Sequence, residues 1–182
     1  MKIINSIAAL ILFAAALSQE EPVTKGEFIV ILARFSSAMH SAFVAEMPVA
    51  KAVAHAYKGV ATRYEGALRM LVGAKLWPKG SGQAFGDDKP ITRYEIALAL
   101  DKLVTILRPK FRSPAVIKTY DHSLVIGHKN DGSQAAMDRL AKEDLLPLRS
   151  PLFSGNETLG PTAVGAMFAQ FAERLGRRFQ KP

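Results

Sequence analysis

Two short segments place a cation beside the start of a predicted helix. Residues 24–27 read TKGE and residues 92–95 read TRYE. In both, Thr and Glu have the spacing of a capping box, in which each side chain accepts a hydrogen bond from the other residue's backbone N–H. We expect Arg93 to point outward from the first turn, where free N–H groups and the helix dipole also attract anions. Lys25 and Arg93 are therefore candidate ligands for a carboxylate, and the alternative is two solvated cations in capping motifs.

Trp77 is the only tryptophan of the chain and directly precedes a glycine-containing loop. Sugars stack on indole rings because the ring offers a flat apolar face with a polar edge. Packing in the core is an equally strong interpretation. For Thr92 and Glu95, a capping role carries more weight than direct contact with a ligand. The candidate glycan-binding set is Arg93, Lys25, Thr92, Glu95 and Trp77.

The sequence contains no motif typical of a catalytic, phosphate-binding or metal-binding site. The chain has no Cys, no G-x-S-x-G motif and no glycine-rich phosphate loop, and its four His show no metal-ligand spacing. Asp87-Asp88 is read as a turn, since one acidic pair cannot supply the six oxygen ligands of a calcium site. Residues 62–65 also read TRYE but follow no glycine loop, so we interpret them as a plain helix start. The sequence predicts no catalytic activity, no cofactor and no metal.

The elements that carry these residues follow a pattern that occurs three times. Apolar residues at steps of four, three and four mark one face of a helix, and each copy lies 68 residues after the previous one. The copies are Phe28, Leu32, Phe35 and Met39; Ile96, Leu100, Leu103 and Leu107; and Val164, Phe168, Phe171 and Leu175. A fixed period predicts one structural unit present in three copies.

A second helix and a loop precede the apolar face in two of the copies. ALRML at 67–71 leads to Phe85, and AMDRL at 136–140 leads to Phe153. In the third copy Gly160 replaces the Thr cap, so the helix start is kept while the cation and the carboxylate are lost. We predict helices over 24–39, 48–73 with a break at Gly59 as an option, 92–107, 135–144 and 161–178, and an extended piece at 120–126.

Residues 76–103, LWPKGSGQAFGDDKPITRYEIALALDKL, resemble a repeat of the surface-layer homology (SLH) family, with Tyr94 where the family usually has Ala. Residues 21–35 resemble the back half of such a repeat, and residues 136–175 resemble a degenerate third one. The resemblance implies an all-α domain over 19–182, with three SLH-like helix-loop-helix repeats around a pseudo-threefold axis and degenerate outer copies. Its repeats would span about 19–45, 46–108 and 109–182. It also implies binding clefts between adjacent repeats, near the TRYE motif.

Residues 1–18 have the features of a secretory signal peptide. Lys2 precedes an apolar run that ends in a small-x-small cleavage site at 16–18. An uncleaved membrane anchor is the alternative, but the apolar run is shorter than the ~20 residues that span a bilayer. We therefore predict export to the cell envelope or cell surface, with no membrane span in the mature chain.

The formal net charge of +8 suits an anionic partner such as nucleic acid, anionic lipid or anionic wall polymer, and the alternative is a basic surface with no specific partner. Export argues against nucleic acid. Together with the SLH resemblance, this predicts non-covalent anchoring to the cell envelope through an anionic cell-wall polysaccharide or peptidoglycan. The first alternative is a structural or protein-interaction envelope protein that kept the fold, lost glycan binding and has another envelope protein as its partner. The second is a wall-modifying enzyme.

Overall fold

A computed structural model describes residues 21–43, 54–107, 132–143, 145 and 157–178. The predicted signal peptide and the predicted extended piece at 120–126 lie outside these residues. The helices are α1 Lys25–Phe43, α2 Thr62–Gly73, α3 Arg93–Leu107, α4 Ser133–Lys142 and α5 Pro161–Arg178. The described residues contain isolated bridging pairs but no strand, so the all-α class is confirmed for this part of the chain. Over the same residues, no helix combines the length and the apolar character needed to cross a membrane.

Both capping boxes form as predicted. The backbone N–H of Thr24 donates to Glu27 Oε2 at 2.9 Å, and that of Thr92 donates to Glu95 Oε2 at 3.0 Å. In return, the N–H groups of Glu27 and Glu95 donate to the Thr hydroxyl oxygens at 3.3 Å. These bonds satisfy N–H groups that have no partner inside the helix, and they fix where α1 and α3 begin.

The prediction of a helix over 48–73 is wrong between residues 54 and 61. That segment is extended or irregular, and helix α2 begins only at Thr62. Gly59 has a φ of +68°, which interrupts a right-handed helix. The backbone of Lys58 instead exchanges hydrogen bonds with the loop that precedes α3, donating to Gln83 O and accepting from Phe85 N, both at 3.0 Å. Tertiary pairing of the backbone therefore overrides the apolar periodicity of this segment.

The three apolar faces form the core. All twelve of their side chains are at most 1% exposed. Helix α1 packs against α2, and α3 packs against α4. Helix α5 meets α1 through aromatic rings, with the centroids of Phe35 and Phe168 4.7 Å apart and those of Phe28 and Phe168 6.0 Å apart. The first and third apolar faces are thus in direct contact.

The segments before α1, α3 and α5 meet at one junction. Val23 N donates to Leu159 O, and Ile91 N donates to Val23 O, both at 2.8 Å. These three residues lie 68 positions apart in sequence and are all buried. The junction therefore holds the N-terminal ends of the three capped helices together.

A partly buried ion pair joins α3 to α4. Arg139 Nε and Nη2 donate to the two carboxylate oxygens of Asp101 at 2.9 and 2.7 Å. The Asp101 side chain is 8% exposed, whereas that of Arg139 is 44% exposed. The pair is therefore asymmetric, because water can solvate the guanidinium but hardly reaches the carboxylate.

Because of this asymmetry, we expect substitution of Arg139 and substitution of Asp101 to lower the free energy of unfolding by different amounts. Arg139→Met should lower the free energy of unfolding by about 2 kcal/mol, since it leaves a buried carboxylate without its partner. Asp101→Asn should cost less, because the exposed guanidinium remains hydrated. Urea denaturation of both variants checks this order, and a larger loss for Asp101→Asn would contradict it.

Candidate functional site

An open groove of about 320 Å³ runs between the start of α1 and one face of α3. Three of the five candidate binding residues line it, namely Lys25, Trp77 and Glu95. They come from α1, from the turn after α2 and from α3. The fold thus brings together residues that are up to 70 positions apart in the sequence.

One wall of the groove is a single face of α3. Glu95, Leu98, Ala99 and Lys102 line it and have the spacing of neighbours on one side of a helix. Lys25 Nζ reaches across from α1 and lies 2.8 Å from Glu95 Oε1. Because Glu95 Oε2 already caps the helix, this carboxylate both starts α3 and binds the cation of the neighbouring helix.

The groove lining also includes three aromatic side chains, Tyr57, Trp77 and Phe85. Trp77 is half-buried and has its ring centroid 6.3 Å from that of Phe28 and 6.1 Å from that of Phe85. The ring of Tyr57 meets Phe85 edge-on at 5.3 Å. Burial raises the pKa of the Tyr57 hydroxyl, and a hydrogen bond with the Trp77 side chain opposes part of that rise. Trp77 therefore packs on the core, as one of the two interpretations of the sequence predicted, and it also lines the groove.

Two glycines let the rings of Tyr57 and Tyr64 lie close to the backbone. A Cβ on Gly80 would come within 2.9 Å of Tyr57 Cδ2, and the residue has a φ of +82°. A Cβ on Gly26 would overlap the ring of Tyr64. Tyr64 belongs to the TRYE segment at 62–65, which begins α2 as predicted. Its ring packs over the start of α1, so this segment has a structural role.

Arg93 does not line the groove, and the expectation that it points outward is wrong. Its side chain is 13% exposed, and its Nε lies 3.1 Å from Glu157 Oε2. Its backbone N–H also donates to Glu157 O at 3.0 Å. The segment that leads into α5 therefore covers the first turn of α3. Thr92 caps that turn and is likewise absent from the groove lining.

The acidic pair at 87–88 forms the predicted turn. The Asp87 carboxylate accepts a hydrogen bond from Ala61 N at 2.8 Å, and its carbonyl accepts one from Gly26 N at 2.9 Å. Asp87 thereby links the starts of α1 and α2. In the part of the chain that the structure describes, no three His, Asp or Glu side chains gather as a metal site would require.

Three groove residues with polar or charged side chains were not predicted from the sequence, namely Tyr57, Gln83 and Lys102. Lys102 lies seven positions after Glu95, and that spacing is a signal that could have placed both on one face of α3. Burial lowers the pKa of the Lys102 ammonium, and the negative charge of Asp101 offsets part of this effect. Tyr57 and Gln83 had no such signal, because the pairing of their segments is not local.

No family model matches this chain, nor does any curated protein or solved structure. The resemblance to the SLH family therefore depends on the sequence motifs alone.

Proposed function

We propose that this protein is exported and anchors non-covalently to the cell envelope by binding an anionic cell-wall polysaccharide or peptidoglycan in the groove. The observation that carries the proposal is the convergence of Lys25, Trp77 and Glu95 on one open groove. An indole face suits the apolar side of a sugar ring, a carboxylate accepts hydrogen bonds from sugar hydroxyls, and the ammonium groups that line the groove add positive charge for an anionic polymer.

The proposal includes three SLH-like units around a pseudo-threefold axis, with degenerate outer copies. Three matching helix starts support it, since the N–H of Phe28, Ile96 and Val164 each donate to the carbonyl four residues earlier, at 24, 92 and 160. A matching turn supports it too. The N–H of Leu76 donates to Leu71 O after α2, and that of Leu145 donates to Leu140 O after α4.

In this arrangement the groove is the cleft between the first and second units. Lys25 belongs to the first unit and Glu95 to the second. The position equivalent to Lys25 in the second unit is Arg93, and the position equivalent to Glu95 in the third is Ala163. Because the third unit lacks this carboxylate, Arg93 pairs with Glu157 instead. We therefore propose the first cleft as the site and assign Arg93 a lesser part in binding.

A structural envelope protein is the second candidate, and one observation favours it. Both motif cations are engaged in ion pairs that join separate parts of the chain, Lys25 with Glu95 and Arg93 with Glu157. Side chains used in this way could hold the fold together with no ligand present. The partner would then be another envelope protein.

Co-sedimentation with isolated walls of the source organism separates these candidates. The protein spanning 19–182 should sediment with native walls, should bind less at higher salt, and should lose binding when the secondary wall polymers are stripped. Unchanged recovery in the supernatant with native and stripped walls would favour the structural alternative.

Two substitutions locate the site in the same assay. Lys25→Ala should weaken wall binding several-fold, because it removes a cation and leaves the Glu95 carboxylate facing the anionic ligand. Arg93→Ala should weaken binding less, since Arg93 lies outside the groove. Circular dichroism checks the helix content of both variants. A larger loss of binding for Arg93→Ala would place the site at the cleft between the second and third units instead.

A further inference from the structure

Three charged side chains line the groove, and of these three only Lys102 forms no ion pair among the described residues. Lys25 and Glu95 neutralise each other at 2.8 Å. Lys102 forms no ion pair with a described residue. Its sequence neighbour Asp101 faces α4, where both carboxylate oxygens accept hydrogen bonds from Arg139. The net charge of the groove therefore comes from Lys102.

Lys102 also has a defined place along the groove. It lies seven residues after Glu95 on α3, which is about 10 Å along the helix axis. Leu98 and Ala99 lie between them on the same wall. The wall therefore presents a neutralised ion pair at one end, an apolar stretch in the middle and an ammonium group at the other end. This order suits a chain of sugars in which an anionic group lies about 10 Å from a neutral part of the chain.

We propose that Lys102 is the residue that recognises the anionic group of the bound polymer, and that the Lys25–Glu95 pair contacts its neutral hydroxyls. This inference rests on the proposed function of the groove. The partly buried ammonium has lost some of its water without gaining an ion-pair partner among the described residues, so an anion beside it replaces the missing solvation. Hydrogen bonds that involve a charged partner are roughly twice as strong as neutral ones, which makes this contact a determinant of specificity.

The anionic group is a carboxylate or a phosphodiester, and treated walls distinguish these sources. One batch of walls keeps its polymers intact, a second has its carboxylates converted to methylamides, and a third has its phosphodiester polymers removed with hydrofluoric acid. The proteins compared are the wild type, Lys102→Met, Lys102→Arg and Lys58→Met. Lys58 is the matched control, because it is exposed, next to Tyr57 and absent from the groove lining.

On native walls, Lys102→Met should bind about tenfold more weakly than the wild type, as expected for loss of a charge-assisted contact. Lys102→Arg should restore most of the binding, and Lys58→Met should match the wild type. One of the two wall treatments should weaken the wild type and Lys58→Met but have little further effect on Lys102→Met. That treatment identifies the anion.

The outcomes separate this inference from the proposed function. If the wild type does not bind native walls, the proposed function fails and the inference fails with it. If the wild type binds and Lys102→Met binds equally well, or if each treatment weakens both proteins by the same factor, the inference alone is overturned. Lys102→Gln replaces Lys102→Met if circular dichroism shows that the latter does not fold.

Discussion

Phe168→Ala is expected to lower the free energy of unfolding by about 3–5 kcal/mol, the range for removing a fully buried aromatic side chain. Phe168 is 1% exposed, and its ring packs against the rings of Phe28 and Phe35. Its loss would leave a cavity at the contact between α1 and α5, where the first and third apolar faces meet. Urea denaturation followed by circular dichroism measures the change.

Thr162→Ala is the control for this prediction, because Thr162 is exposed on the same helix. Its effect should stay within about 0.5 kcal/mol, as is usual for surface substitutions. If Phe168→Ala were as mild as Thr162→Ala, the packing of α5 against α1 described above would be wrong.

Leu100→Ala should cost about 2–5 kcal/mol through lost burial and the cavity left behind. Leu100 is 0% exposed at the centre of the second apolar face. Leu98→Ala is a matched control on the same helix, since Leu98 is only partly buried and borders the groove. Thermal and urea denaturation should therefore rank Leu100→Ala as clearly more destabilising. An unfolding free energy for Leu100→Ala within half a kcal/mol of the wild type would show that this face is not the core.

The capped starts of α1 and α3 and the apolar faces of three helices could be predicted because the forces that set them are local. The residues of a capping box lie within one helical turn, and an apolar face extends over a few turns. The twelve buried side chains and the capping boxes at Thr24 and Thr92 follow from such short patterns. Helix α5 likewise has the predicted bounds, from Pro161 to Arg178.

The site was harder to predict because its charges are paired over long distances in the sequence. Lys25 meets Glu95, and Arg93 meets Glu157, only after the helices have packed. No local rule shows that a cation in a first helical turn will be covered by a segment more than 60 residues away. The extended backbone around Tyr57 was hard to predict for the same reason, since its hydrogen bonds go to a loop beyond α2.

If a wall polymer occupies the groove beside Trp77, as we propose, its binding should change the tryptophan fluorescence of the protein. Trp77 is the only tryptophan in the chain, so the emission reports on this groove alone. Titration with purified, soluble wall polymer should change the emission until the site is saturated, and Lys102→Met should require about tenfold more polymer. Calorimetry measures binding independently. Polymer binding seen by calorimetry with no change in Trp77 emission would contradict this proposal, because the ligand would then bind elsewhere.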